Sequence, residues 1–131
     1  MNKLELEIKQ FLEERGWNNL RPADLSKSIS IESAELLEIF QWSNLTLDEV
    51  KKDNKLIPLI QKELADVMIC CIEMSVLLEL DTEYIIRTKL EKVKEKYPAQ
   101  IMKRFSGKDS GSGEDTEYLK IKKQYRREGK N

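Results

Sequence analysis

Apolar residues recur every three or four positions along most of the chain, the period of an α-helix packed on one side. Leu4, Ile8, Phe11 and Leu12 share a face of a first helix expected over about Lys3–Arg15, with Gly16 as its stop. Trp17–Ala23 reads as a loop that carries Pro22. Asp24 has the chemistry of an N-cap, and a second helix follows from about Lys27 through Trp42. Thr46 with Glu49 three residues on forms a capping box for a short helix near Leu47–Asp53. Pro58 suits a first helical turn. From there to Leu80 the chain is apolar on nearly every side, which marks a central helix covered also by a partner subunit. Asp81 or Thr82 caps a further helix over about Glu83–Lys96, which Tyr97-Pro98 ends.

After Phe105 the periodicity stops. Ser106–Glu117 is rich in Gly, Ser and acidic residues and reads as a linker, followed by a polar, basic segment, Tyr118–Lys130, able to form a marginal helix. The expectation is an all-α domain over residues 1–105, four-helix-bundle-like, with a linker and tail over 106–131.

Two acidic pairs break the apolar stripes. With Glu32 at zero on a helical wheel of about 100° per residue, Leu25, Ile29, Leu36 and Ile39 fall within about 60° of it, and Glu35 lies about 60° to one side. With Glu63 at zero, Leu59, Val67, Cys70, Met74 and Leu77 crowd the same arc, and Asp66 again lies about 60° away. Burying an ionised carboxylate costs several kcal/mol even after relaxation, and four like charges also repel. A positive group must offset them. A hard divalent cation held by oxygen ligands does so most economically; protonated carboxyls, or Lys62 or Arg87 as partners, are the alternatives.

Composition narrows the chemistry. The chain has 131 residues, enough for one core, with 23 basic and 24 acidic side chains and no histidine. The lack of histidine excludes Ser-His-Asp and Cys-His catalysis, His-ligated zinc and the Glu-x-x-His pairs of di-iron bundles. Near-zero net charge gives no global signal for a nucleic-acid polymer. Cys70 and Cys71 are adjacent within an apolar run and read as packed thiols of a reducing compartment. The charged start, Met1–Gln10, is not a signal peptide, and Val67–Leu80 is shorter than the roughly 20 residues of a membrane span. A soluble, cytoplasmic protein is expected.

An all-oxygen site of Glu32, Glu35, Glu63 and Asp66 suits Mg²⁺, with Mn²⁺ as a substitute, and Mg²⁺ characteristically shares substrate phosphates. Glu38, one turn beyond Glu35, is placed as a further ligand or a general base, or simply as a solvated charge. Lys89, Lys92 and Lys96 share a face of the later helix, followed by Tyr97; such a run is normally solvated, yet a polyphosphate needs cationic partners. Trp17 and Trp42 flank the first acidic helix and can either cap the core or stack on a base.

The stretches Ile31-Glu32-Ser33-Ala34-Glu35, Lys62-Glu63-Leu64-Ala65-Asp66 and Lys96-Tyr97-Pro98, with 27 residues between the two acidic pairs, resemble the MazG-like all-α nucleoside triphosphate pyrophosphohydrolases. Glu14–Trp17, Pro22 and Leu25 look like its single-domain branch, which includes dCTP pyrophosphatases. The resemblance covers about residues 3–105. It implies Mg²⁺-dependent hydrolysis of a nucleoside triphosphate to monophosphate and pyrophosphate, in a homodimer or a homotetramer built as a dimer of dimers. It implies metal ligation by Glu32, Glu35, Glu63 and Asp66; Glu35 and Glu38 are expected as the catalytic carboxylates from their places on the acidic helix. Base contacts would fall to Trp17 and Trp42, and phosphate contacts to Lys89, Lys96 and Tyr97, with Lys92 added by the face it shares with the two lysines. Three places depart from the family pattern. Ile31 stands where a second glutamate is common, Leu20 or Arg21 where the dCTP enzymes place a histidine, and Val93 where they place an asparagine. A competing expectation is a non-catalytic helical dimer that binds or senses nucleotides.

Overall fold

The computed structural model describes residues 1–105 and 117–130, and every regular element among them is helical. They are α1 (Lys3–Glu14), α2 (Pro22–Glu38), α3 (Leu47–Lys52), α4 (Leu56–Leu77), α5 (Thr82–Lys96), α6 (Ala99–Phe105) and α7 (Glu117–Arg127). The expected linker over Ser106–Glu117 lies, but for Glu117, outside the described residues. No helix among the described residues is long and apolar enough to cross a membrane.

Local chemistry sets the boundaries. Asn2 and Glu5 form a capping box on α1, the backbone amide of each donating to the side chain of the other. At the far end Gly16 takes φ +66°, its amide donating to the Glu13 carbonyl while that of Trp17 reaches Leu12. This is a Schellman stop, and Gly suits its left-handed position. The expected Thr46–Glu49 box is present on α3.

Elsewhere the ends differ from expectation. Helix α2 starts five residues before the expected body, because Pro22 occupies its first turn and Arg21 is the N-cap; Asp24 lies inside that turn and pairs with Lys27. It stops at Glu38 rather than at Trp42. Helix α4 ends at Leu77, since Glu79 takes φ +54° and the amides of Glu79 and Leu80 close a second Schellman motif on Val76 and Ser75. Helix α6 follows Pro98 directly, where no helix was expected.

The chain divides into two compact units, Met1–Thr82 and Glu83–Asn131. In the first, α4 is the central element: α2 packs most extensively against it, then α1, then α3. Among the described residues the buried apolar core is small, made of Ile8 and Leu12 from α1, Leu25 from α2 and Val76 from α4, with Leu12 fully enclosed. Glu5 is buried among them yet satisfied. A Thr82 hydroxyl bonds its carboxylate, and Thr82 lies 2.7 Å from the Ser75 hydroxyl. Because the ionised carboxylate only accepts, the order is Ser75 to Thr82 to Glu5. In the second unit, α6 packs against α7.

Much apolar surface stays open. Ile31 and Leu37 of α2, and Leu59, Leu64, Met68 and Ile69 of α4, are all exposed in the single chain. The expectation of a central helix apolar all round therefore meets a helix whose second side is left open by the described residues of one protomer.

Candidate metal centre

Helices α2 and α4 bring carboxylate oxygens of Glu32, Glu63 and Asp66 within 4.8 Å of one another. All three side chains belong to residues of intermediate burial, as their places on apolar stripes require. The most telling atom is Glu63 Oε2, which is buried and has no hydrogen-bond partner among the described residues. A buried oxygen without a partner forfeits its desolvation cost, so native proteins almost always satisfy such atoms. The other oxygen, Oε1, accepts from Lys62 Nζ at 2.7 Å. Lys62 is well exposed at 67%, whereas the Glu63 side chain is 13% exposed, so one solvated ammonium cannot neutralise the whole group.

Glu35 sits beside this triad, more exposed than its members. The charge of Glu32 pushes its carboxyl above the ordinary glutamate value, with burial and Glu63 adding to the effect and Lys62 opposing it. That is the electrostatic behaviour of a carboxylate cluster in need of a cation. Three convergent oxygens, a fourth carboxylate at their edge and an unsatisfied buried lone pair fit a hard divalent ion, for which oxygen donors are the natural set.

The other residues singled out in the sequence are placed less closely. Glu38 is exposed at the end of α2. Trp17 packs edge-on against Phe11 at 5.8 Å and remains about half exposed, and Trp42 is 91% exposed. Lys89, Lys92, Lys96 and Tyr97 belong to the second unit. There Tyr97 stacks on Tyr118 of α7 at 4.9 Å, a neighbour absent from the sequence reading; the signal for it was the seven-residue spacing of Tyr118 and Tyr125, which puts both on one helical face.

A model of the MazG-like family matches residues 27–108, which include both acidic pairs and the Lys-Tyr-Pro stretch. The chain belongs to the MazG-like family. Among solved structures it is similar to a pyrophosphatase from Archaeoglobus fulgidus, with 35% identity and a TM-score of 0.64, over 73% of this chain and 90% of that one. No curated protein matches. The MazG-like chain thus has the all-helical architecture expected of it, while α7 lies beyond the matched residues.

Proposed function

We propose that this MazG-like protein is a divalent-metal-dependent hydrolase that cleaves a nucleoside triphosphate to the monophosphate and pyrophosphate, clearing non-canonical or excess nucleotides. The convergence of Glu32, Glu63 and Asp66 around the unsatisfied Glu63 Oε2 carries the reading. The likeness to the archaeal pyrophosphatase supports the reaction class. Glu32, Glu35, Glu63 and Asp66 would hold Mg²⁺, or Mn²⁺ in its place. The ion supplies charge neutralisation at the phosphoryl oxygens and lowers the pKa of water. Glu38, exposed and one turn beyond Glu35, is the general base that takes the proton of the attacking water. Trp17 and Trp42 present indole faces for the base, and Lys89, Lys92, Lys96 and Tyr97 are the phosphate partners.

The working form is a homodimer or a dimer of dimers. Monomeric proteins rarely leave contiguous apolar patches of more than a few hundred Å² open, and the uncovered residues of α2 and α4 support a second copy across them.

The test is to supply a panel of ribo- and deoxyribonucleoside triphosphates, modified bases included, with Mg²⁺ and resolve the products. Monophosphate plus pyrophosphate is expected. Diphosphate plus orthophosphate would replace the reaction with a phosphohydrolase, and binding without turnover would replace it with a sensor.

A further inference from the structure

The near-zero net charge hides an asymmetry. Residues 117–131 carry six basic and two acidic side chains, whereas residues 1–116 carry 17 basic and 22 acidic ones. The basic excess gathers on one side of α7. With Lys120 at zero on a helical wheel, Lys123 and Arg127 fall within about 60° of it and Arg126 about 120° away. Tyr118, Ile121 and Tyr125 take the other side. The structure keeps the two sides apart. Tyr118 stacks on Tyr97 at 4.9 Å, and Tyr125 faces Lys96 Nζ at 4.8 Å, whereas Lys120, Lys123, Arg126 and Arg127 are all exposed.

Exposed cations on other helices pair with a carboxylate one turn away, as Lys3 does with Glu7, Arg87 with Glu83 and Lys94 with Glu91. Among the described residues none of the four α7 cations has such a partner, and Glu128 is already engaged by Gln124 and Lys130. The helix dipole accounts for Arg126 and Arg127 in the last turn, but not for Lys120 and Lys123. We propose that this side of α7 docks on the sugar–phosphate backbone of a nucleic acid, irrespective of base sequence. From Lys120 to Arg127 the helix rises about 10 Å, which matches roughly three phosphate steps of about 3.4 Å along one strand. Guanidinium and ammonium groups in such a row give charge-assisted contacts to successive phosphates. An anionic lipid surface fits less well, because an interfacial helix inserts an open apolar face and α7 turns its tyrosines onto Tyr97 and Lys96. Helix α7 lies outside the family-matched residues. None of the four cations is among those placed on the nucleoside triphosphate, so this surface stands apart from catalysis.

The test is fluorescence anisotropy of the full chain in EDTA, with a labelled oligouridylate and separately with a labelled DNA duplex of arbitrary sequence. Binding is expected at low salt, and the two arms show whether a single strand or a duplex is preferred. For the single strand, log affinity should fall against log salt with a slope of about −2 to −3, as three or four phosphate contacts require. Lys120→Gln with Lys123→Gln should weaken binding by about tenfold or more and flatten that slope by about 1.4. Arginine at both positions should preserve it. Circular dichroism checks that helix content is kept, and Arg126→Gln with Arg127→Gln repeats the test at the other end of the row. Pyrophosphate release in Mg²⁺ should be unchanged in the Lys120→Gln, Lys123→Gln chain. Absence of binding to either polymer, or unchanged affinity in both double variants, overturns the proposal. So does adsorption to phosphatidylserine vesicles without nucleic-acid binding. Displacement of the strand by ATP beyond the effect of equal ionic strength would also overturn it, by moving the strand onto the α5 lysines. Absence of pyrophosphate release from the wild type would end the enzymatic reading and leave this one standing.

Discussion

At the scale of single residues, the chain is most readable where a side chain contradicts its surroundings. Glu32, Glu63 and Asp66 were legible because carboxylates on apolar arcs demand a reason, and their convergence gives one. Glu35 was equally prominent in the sequence, yet it sits at the edge of the triad, since a wheel fixes the face of a residue and not the reach of its side chain. Lys62 acts as a partial internal counter-ion. Lys62→Gln should therefore tighten Mn²⁺ or Mg²⁺ binding, by at most about fivefold for so exposed a pair, as calorimetry would show. Glu5 makes a different prediction. Its pKa is held below the usual glutamate value, first by the Thr82 hydroxyl, then by the Asn2 amide and the N-terminal charge, with burial and, less, Asp81 opposing. A depressed folded-state pKa contributes stability that is complete above the unfolded value, about 4.3, and is lost as pH falls through the folded one. Glu5→Gln should lower the melting temperature at pH 7, and the gap from wild type should close toward pH 3.

At the scale of elements, caps decided what periodicity could not. The box at Thr46 and the stop at Gly16 were readable because their residue types admit few other roles. The end of α4 was not, because its Schellman motif uses Glu79, and nothing in an apolar run followed by a glutamate announces a left-handed residue. The start of α2 was misplaced for a related reason: Asp24 resembles an N-cap, but Pro22 already has the φ of a first helical residue. Since nothing would crowd a glycine in the left-handed region, Glu79→Gly should stabilise the protein, by up to about 1 kcal/mol. Chemical denaturation with an unchanged slope would register it as a higher midpoint. A lower midpoint would mean that the Glu79 side chain contributes more than its backbone conformation costs.

At the scale of the whole molecule, the sequence indicated all-helical architecture and a central helix, and both are present. What it left open is how the apolar sides of that helix are covered, because amphipathic patterning counts buried faces without saying which chain buries them. Among the described residues of one protomer, Ile8, Leu12, Leu25 and Val76 are the buried apolar side chains, which is little for a chain of 131 residues. Sedimentation should therefore find a dimer or tetramer at micromolar concentration, and Met68→Glu, placed on the open side of α4 at 55% exposure, should shift it toward monomer. A wild-type monomer that unfolds cooperatively would contradict this.

The central claim is that Glu32, Glu63 and Asp66 gather a divalent ion on which nucleotide cleavage depends. Its most direct test is the rate of pyrophosphate release from a nucleoside triphosphate as Mg²⁺ is titrated, in wild type and in Glu63→Gln. Saturable Mg²⁺ dependence is expected in the wild type, with loss of turnover by at least about a hundredfold in the variant. The metal-free variant should be no less stable than wild type, because a buried like charge has been removed. Wild-type turnover in Glu63→Gln, or turnover that persists in EDTA, would contradict it.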